Sequence, residues 1–314
     1  MQNDAHVPDQ QRSKNIYMGI GLAVLATLLW SGNFIIAKGV TGSIDPVSLS
    51  FYRWLIACIV ILPFAIKQFI SQWLAVRMSW YYLFWVSLTG VAFFNTFVYI
   101  GAHYTSAINL ALIGTTSSPI MSVAFARIFL KERIGTLKMA GMILFAIDVL
   151  FLLSKGSFQN LLHLHFGTGD LWVLLAAFSF AVYNTLVKKK PAAISPVNFL
   201  FTSFSFGTLM MLPFFLYELN NSAPVQWTSN LVFSVLYLGI IASVICFLIW
   251  NIAISKLGAG RTALFGNLIP VFASIEAAVI LGEDFTWIHI TSMCIVFAGI
   301  MLANLRQQSS VPVK

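Results

Sequence analysis

The chain is a succession of apolar runs, each about long enough to cross a lipid bilayer, separated by short polar breaks. A hydrocarbon layer of about 30 Å is spanned by ~20 helical residues rising ~1.5 Å each, and within it every backbone polar group has to be paired internally. Cutting at the polar and charged breaks gives ten such runs, near 18–38, 47–66, 81–103, 107–130, 136–154, 169–187, 197–217, 230–255, 259–281 and 287–305. Residues are 59% hydrophobic and only 9% charged, too little polar surface for a water-soluble chain of 314 residues. The same composition excludes a disordered chain and a collagen-like fibre. The predicted fold class is an all-α integral membrane protein with ten transmembrane helices. The first run, Ile16 to Ala37, is too long for a signal-peptide core and has no small-residue cleavage site behind it, so it reads as a retained helix.

The net charge of +8 would suit a nucleic-acid partner if the basic residues formed a patch. They do not. With the N-terminus in the cytosol, fourteen fall in cytosolic segments: Arg12, Lys14, Lys67, Arg77, Lys131, Arg133, Lys138, Lys188, Lys189, Lys190, Lys256, Arg261, Arg306 and Lys314. Only Lys38 and Lys155 fall outside, and Arg53 and Arg127 lie within runs. Such a bias orients a polytopic chain in its membrane. It places both termini in the cytosol, agrees with an even number of spans, and removes nucleic acid as a partner. The partners expected are the bilayer and a small-molecule substrate, with a homodimer as one possible assembly. The expected location is the cell (inner or plasma) membrane.

The sequence also resembles itself at a shift of about 150 residues. Lys38 matches Lys188, Ile44-Asp45-Pro46 matches Ile194-Ser195-Pro196, and Leu62-Pro63-Phe64 matches Leu212-Pro213-Phe214. With the shift one residue longer, Pro119 matches Pro270 and Leu130-Lys131-Glu132 matches Leu281-Gly282-Glu283. Five spans per half is an odd number, so the halves are expected to enter the membrane in opposite senses, as inverted-topology repeats. The expected organisation is a cytosolic tail 1–15, a first repeat 16–154, an outer linker 155–168, a second repeat 169–305 and a cytosolic tail 306–314. Carriers built this way hold substrate near the midplane, between the halves, and rock about it.

Trp30-Ser31-Gly32-Asn33-Phe34 followed by Lys38, and small-residue fourth and ninth helices that each carry a proline and run into Leu-x-Glu, resemble the EamA family of the drug/metabolite transporter superfamily. The likeness extends from about Tyr17 to Leu305. It implies a membrane transporter of small metabolites, often amino acids or their derivatives, often outward, with proton-linked or exchange coupling. The expected function is export of amino acids or related compounds by alternating access. The alternatives are import or exchange of a charged or nucleotide-like metabolite and, below that, a membrane enzyme or a channel. No catalytic residue set, cofactor motif or metal-ligand spacing stands out, and there is no P-loop.

Polar and aromatic groups at mid-bilayer depth are the candidates for a substrate cavity, because an unpaired polar group there is costly. Trp30 and Asn33 lie on the first helix, and Asn95 and Tyr99 share a face of the third at i, i+4. Thr115 lies on the fourth, Tyr183 and Asn184 on the sixth, Trp250 and Asn251 on the eighth, and Asn267 on the ninth. Pro119 and Pro270 are candidate hinges. Arg127 lies within snorkelling reach of the cytosolic surface. Arg53, Asp148 and Glu276 each lie about 9–10 Å from the outer surface at ~1.5 Å per residue. They are candidates for an ion pair, Arg53 with either carboxylate, or for carrying a coupling proton.

Four further signals have ordinary readings. Gly167-Thr168-Gly169-Asp170 resembles the GxGD of intramembrane proteases but sits at a helix start, where Asp caps and glycines turn. His163 and His165 lack a third metal ligand. Glu132 and Glu283 are expected to cap the helices that follow them, at 136 and 287. Cys58, Cys246 and Cys294 lie in apolar runs as packed side chains.

Overall fold

The computed structural model describes residues 9–129, 136–154, 156–157, 167–257, 262 and 265–304. Among them the chain is helical, without strands. Besides a short helix at Trp73–Met78, the helices are α1 (Asp9–Gly39), α2 (Pro46–Ser71), α3 (Trp80–Ala102), α4 (Ala107–Phe129), α5 (Thr136–Leu153), α6 (Thr168–Val187), α7 (Pro196–Asn221), α8 (Ser229–Leu257), α9 (Gly266–Leu281) and α10 (Trp287–Asn304). Six of them, α1, α2, α3, α6, α7 and α8, have spans long and apolar enough to cross a membrane, and shorter apolar stretches lie in α5, α9 and α10.

Local chemistry sets the boundaries. Pro46 and Pro196 open α2 and α7, where the missing N–H would be unpaired in any case. Thr228 Oγ1 accepts from the Leu231 N–H at the start of α8 (3.3 Å). Asp170 reaches back to accept from the Gly167 N–H (3.1 Å), which is the capping role expected of the GxGD sequence. Gly282 ends α9 with φ 66°, a left-handed turn that a side chain would strain. Helix α1 begins at Asp9, within the polar segment 1–15 expected as a tail. Gln, Arg and Lys are good helix formers, so a helix already nucleated in apolar sequence extends through them at little cost.

Large apolar side chains such as Phe64, Phe214, Phe233 and Ile280 face outward, while Thr27, Asn33, Arg53, Asn95, Asn198 and Ser243 are buried. That distribution suits a lipid solvent.

The strongest helix–helix contacts mostly join the two halves of the chain: α2 with α7, α5 with α10, α4 with α6, α1 with α8, and α3 with α6. The pair α2 and α7 is antiparallel. At one end Glu218 of α7 accepts from the N–H groups of Val47 and Ser48 at the start of α2. At the other, Gln72, just past the end of α2, accepts from Ser195 N–H at the start of α7. Helices α3 and α8 share a further irregularity, with wide π-type turns at Leu88–Phe93 and Tyr237–Ile245, matched by the repeat. The segment FQNLLHLHF, with His163 and His165, and Glu132 lie outside the described residues.

Candidate functional site

Arg53, buried at 5% exposure, is the centre of the polar interior. Helix α8 lies directly on α2 beside it. A Cβ on Gly239 would stand 2.6 Å from Ile56 Cβ and 3.0 Å from the Arg53 carbonyl oxygen, so only glycine allows that approach. Ser243, four residues on, donates across the wide turn to the Leu238 carbonyl (2.8 Å) and accepts from Arg53 Nε (2.8 Å). The Nη1 group donates to Asn33 Oδ1 on α1, and to Asn95 Oδ1 (2.8 Å) and Tyr99 Oη (2.7 Å) on α3. Tyr99 in turn donates to Asn33 Oδ1 (3.1 Å). The guanidinium carbon lies 4.9 Å from the Trp54 ring centre. Four helices from both halves thus converge on one cation, and its hydrogen-bond partners among the described residues are all neutral. π-type turns recur at functional sites, and here one of them delivers Ser243.

The structure brings Asn33, Asn95 and Tyr99 together, and adds Arg53 and Ser243. Trp30, one turn before Asn33, donates from Nε1 to the Ala242 carbonyl (2.9 Å) and meets Phe247 and Trp250 at ring centroids of 5.6 and 5.2 Å. Tyr183 stacks on Phe180 and lies over Gly90 of α3. Thr115 Oγ1 donates back to Ala111 O (2.7 Å) and Asn251, exposed, donates to Phe247 O (2.9 Å). Asn184 and Asn267 are half-buried. Helix α4 runs unbroken through Pro119, whereas Pro270 sits in the first turn of an α-helical segment, Ile269–Glu276, after a single 3-10 turn.

The expected pairing of Arg53 with Glu276 or Asp148 is absent from these bonds. Glu276 Oε1 instead accepts from Ser31 Oγ (2.8 Å), and its Oε2 is buried without a partner. Ser31 and Asn33 are two residues apart, about 200° around a helix, so α1 stands between Glu276 and Arg53. Asp148 is fully buried on α5, with the hydroxyls of Thr116 and Ser292 as its polar neighbours, neither at good hydrogen-bond geometry. Position along a helix says nothing of direction around it, and the sequence reading had only the first. Ser243 and Gly239 were missed, although a glycine four residues before a serine in a fully apolar run signals close helix approach.

Glu283 does cap a helix, but not the one that follows it. Its carboxylate accepts from Ala107 N–H (2.6 Å) and Ile108 N–H (3.0 Å) at the start of α4. That start is unpaired within its own helix and carries positive partial charge, which draws the carboxylate. Lys38 Nζ donates to the Ala102 carbonyl at the end of α3 (2.9 Å), at the same end of the bundle.

Residues 17–154 and 167–305 each match the EamA-like transporter family. The chain belongs to this family. It is 27% identical over 291 residues to an uncharacterized transporter of Archaeoglobus fulgidus, covering 91% of this chain and 97% of that one. It is 25% identical to a protein of Salmonella typhimurium named a probable amino-acid metabolite efflux pump, covering 90% of this chain and 93% of that one. A solved crystal structure at 20% identity superposes with a TM-score of 0.62 over 93% of this chain and 97% of that chain, which supports the fold. This EamA-like protein is therefore a membrane transporter by family, with its polar interior centred on Arg53.

Tyr99→Phe isolates one part of that interior. It keeps the ring and removes the hydroxyl that accepts from Arg53 and donates to Asn33. A cost of about 1–3 kcal/mol is expected, read as a lower thermal midpoint of the purified protein. An unchanged midpoint would show that the hydroxyl contributes nothing.

Proposed function

We propose that this EamA-like transporter exports amino acids or related small metabolites by alternating access. The observation that carries the reading is the Arg53 cluster, a charged and hydrogen-bonded site assembled by α1, α2, α3 and α8 from both halves of the chain. A purely structural bundle needs no ion at this depth. The antiparallel packing of the repeat mates α2 and α7 supports inverted repeats, and with them ten spans and cytosolic termini. The relative named an amino-acid metabolite efflux pump supports the substrate class. The charge of Arg53, without an acidic partner among the described residues, also favours the second reading, exchange or import of a charged metabolite. Asp148, fully buried with only the hydroxyls of Thr116 and Ser292 beside it, is the better candidate for a coupling proton, and Glu276 the second.

The test is counterflow in proteoliposomes loaded with an equimolar mixture of the twenty L-amino acids, with and without a pH gradient. Saturable exchange is expected. If no solute exchanges and none leaves, the reading fails. Transport by Asp148→Asn is expected to lose its response to the gradient; a full response would remove that residue from coupling.

A further inference from the structure

We propose that Arg53 is the anion contact of the substrate site, with its Nη2 amino group taking a carboxylate of the transported molecule. This rests on the transport reading above and adds the group that the site selects.

The guanidinium is permanently charged, and a buried ion is costly unless it is paired. Among the described residues its partners are all neutral: Ser243, Asn33, Asn95 and Tyr99. Glu276 is turned away on the other side of α1, held by Ser31. Among the described residues these bonds use Nε and Nη1, and none uses Nη2. The plane of the guanidinium is therefore fixed while the N–H donors of Nη2 remain uncommitted among the described residues. Fixing a donor before binding reduces the ordering cost of recognition, and a charge-assisted N–H donated from Nη2 to a carboxylate oxygen is stronger than one donated to a neutral acceptor.

The repeat argues against a packing role. The position equivalent to Arg53, 150 residues on, is Ser203 of α7, which is buried with its hydroxyl unpartnered. The same helix–helix contact thus forms around a small neutral side chain in one half. The charge occurs once, where Asn33, Asn95 and Tyr99 are gathered to hold it. One turn from Asn33, the rings of Trp30, Phe247 and Trp250 offer an apolar surface for the rest of such a molecule.

The experiment compares the twenty L-amino acids with their α-amides, as equimolar mixtures, on the wild-type protein and on Arg53→Gln and Arg53→Lys. Two readouts are taken: counterflow in proteoliposomes and thermal stabilisation of the purified protein. The expected result is that the wild type exchanges, and is stabilised by, the carboxylates at least about tenfold better than the amides. Arg53→Gln loses the preference and Arg53→Lys keeps part of it. If wild type exchanges amides and carboxylates equally, or folded Arg53→Gln keeps the preference, the anion contact is overturned while transport stands. If neither mixture exchanges or stabilises, the transport reading falls and the proposal with it. The comparison of mixtures on wild type needs no variant, so poor folding of Arg53→Gln leaves the test decisive.

Discussion

Gly90→Ala is expected to destabilise the bundle more than any other single methyl group added to it. Gly90 lies in the wide turn of α3, and the Tyr183 ring of α6 covers it. A Cβ built there falls 2.6 Å from Cε2, 2.7 Å from Cγ and closer still to Cδ2. The ring has little room to retreat. It stacks on Phe180 at 5.7 Å, and Phe180 stacks on Phe94 at 4.5 Å. The added methyl group therefore has to push α6 from α3, one of the closest contacts between the halves. Overpacking of a dense interior costs about 1–3 kcal/mol and more where backbone has to move. Heating with a thiol-reactive dye would read this directly, because Cys246 is buried and reacts only when the bundle opens, while Cys294 is exposed from the start. Gly90→Ala should open at lower temperature, and Gly90→Ala with Tyr183→Leu should recover part of the loss. A single variant that opens with the wild type would show that the α3–α6 contact is looser than described.

The helix positions were largely legible in the sequence because the solvent imposes their length. A run is expected to end about where the hydrocarbon does, whatever it packs against. The periodicity within a helix was legible too: Asn95 and Tyr99, four residues apart, both reach Arg53. What crosses between helices was not. Arg53, Asp148 and Glu276 are expected at one depth, yet depth is one coordinate of three, and the 200° between Ser31 and Asn33 separates Glu276 from Arg53. Glu283 shows the same limit. Capping chemistry follows from its charge, but the choice between α10, four residues ahead in sequence, and α4, far behind, depends on how the halves dock. The wide turn that presents Ser243 left no trace in composition, since Tyr237–Ile245 reads as ordinary apolar helix.

Glu218→Ala should release the start of α2 from the end of α7. Pro46 has no N–H, so the first donors of α2 are those of Val47 and Ser48, and the Glu218 carboxylate takes both at 3.2 and 2.7 Å. It also accepts from Ser48 Oγ at 2.8 Å. Asp45, at the usual capping position, makes no side-chain cap bond, so no other side chain stands in. Losing the cap and its charge at the positive helix end is expected to cost about 1–3 kcal/mol. Glu218→Gln keeps an acceptor but not the charge, and should fall between wild type and Glu218→Ala. The repeat mate shows why the charge matters. At the opposite end Gln68 occupies the equivalent position and shares the start of α7 with Gln72, which accepts from Ser195 N–H at 2.9 Å and Asn198 Nδ2 at 2.8 Å. Two neutral amides there do what one carboxylate does at the Glu218 end, so Gln68→Ala should cost less than Glu218→Ala. Thermal midpoints of the three variants decide the order. If Glu218→Ala and Gln68→Ala fall equally, the charge contributes nothing and the two ends of the α2–α7 pair are held alike.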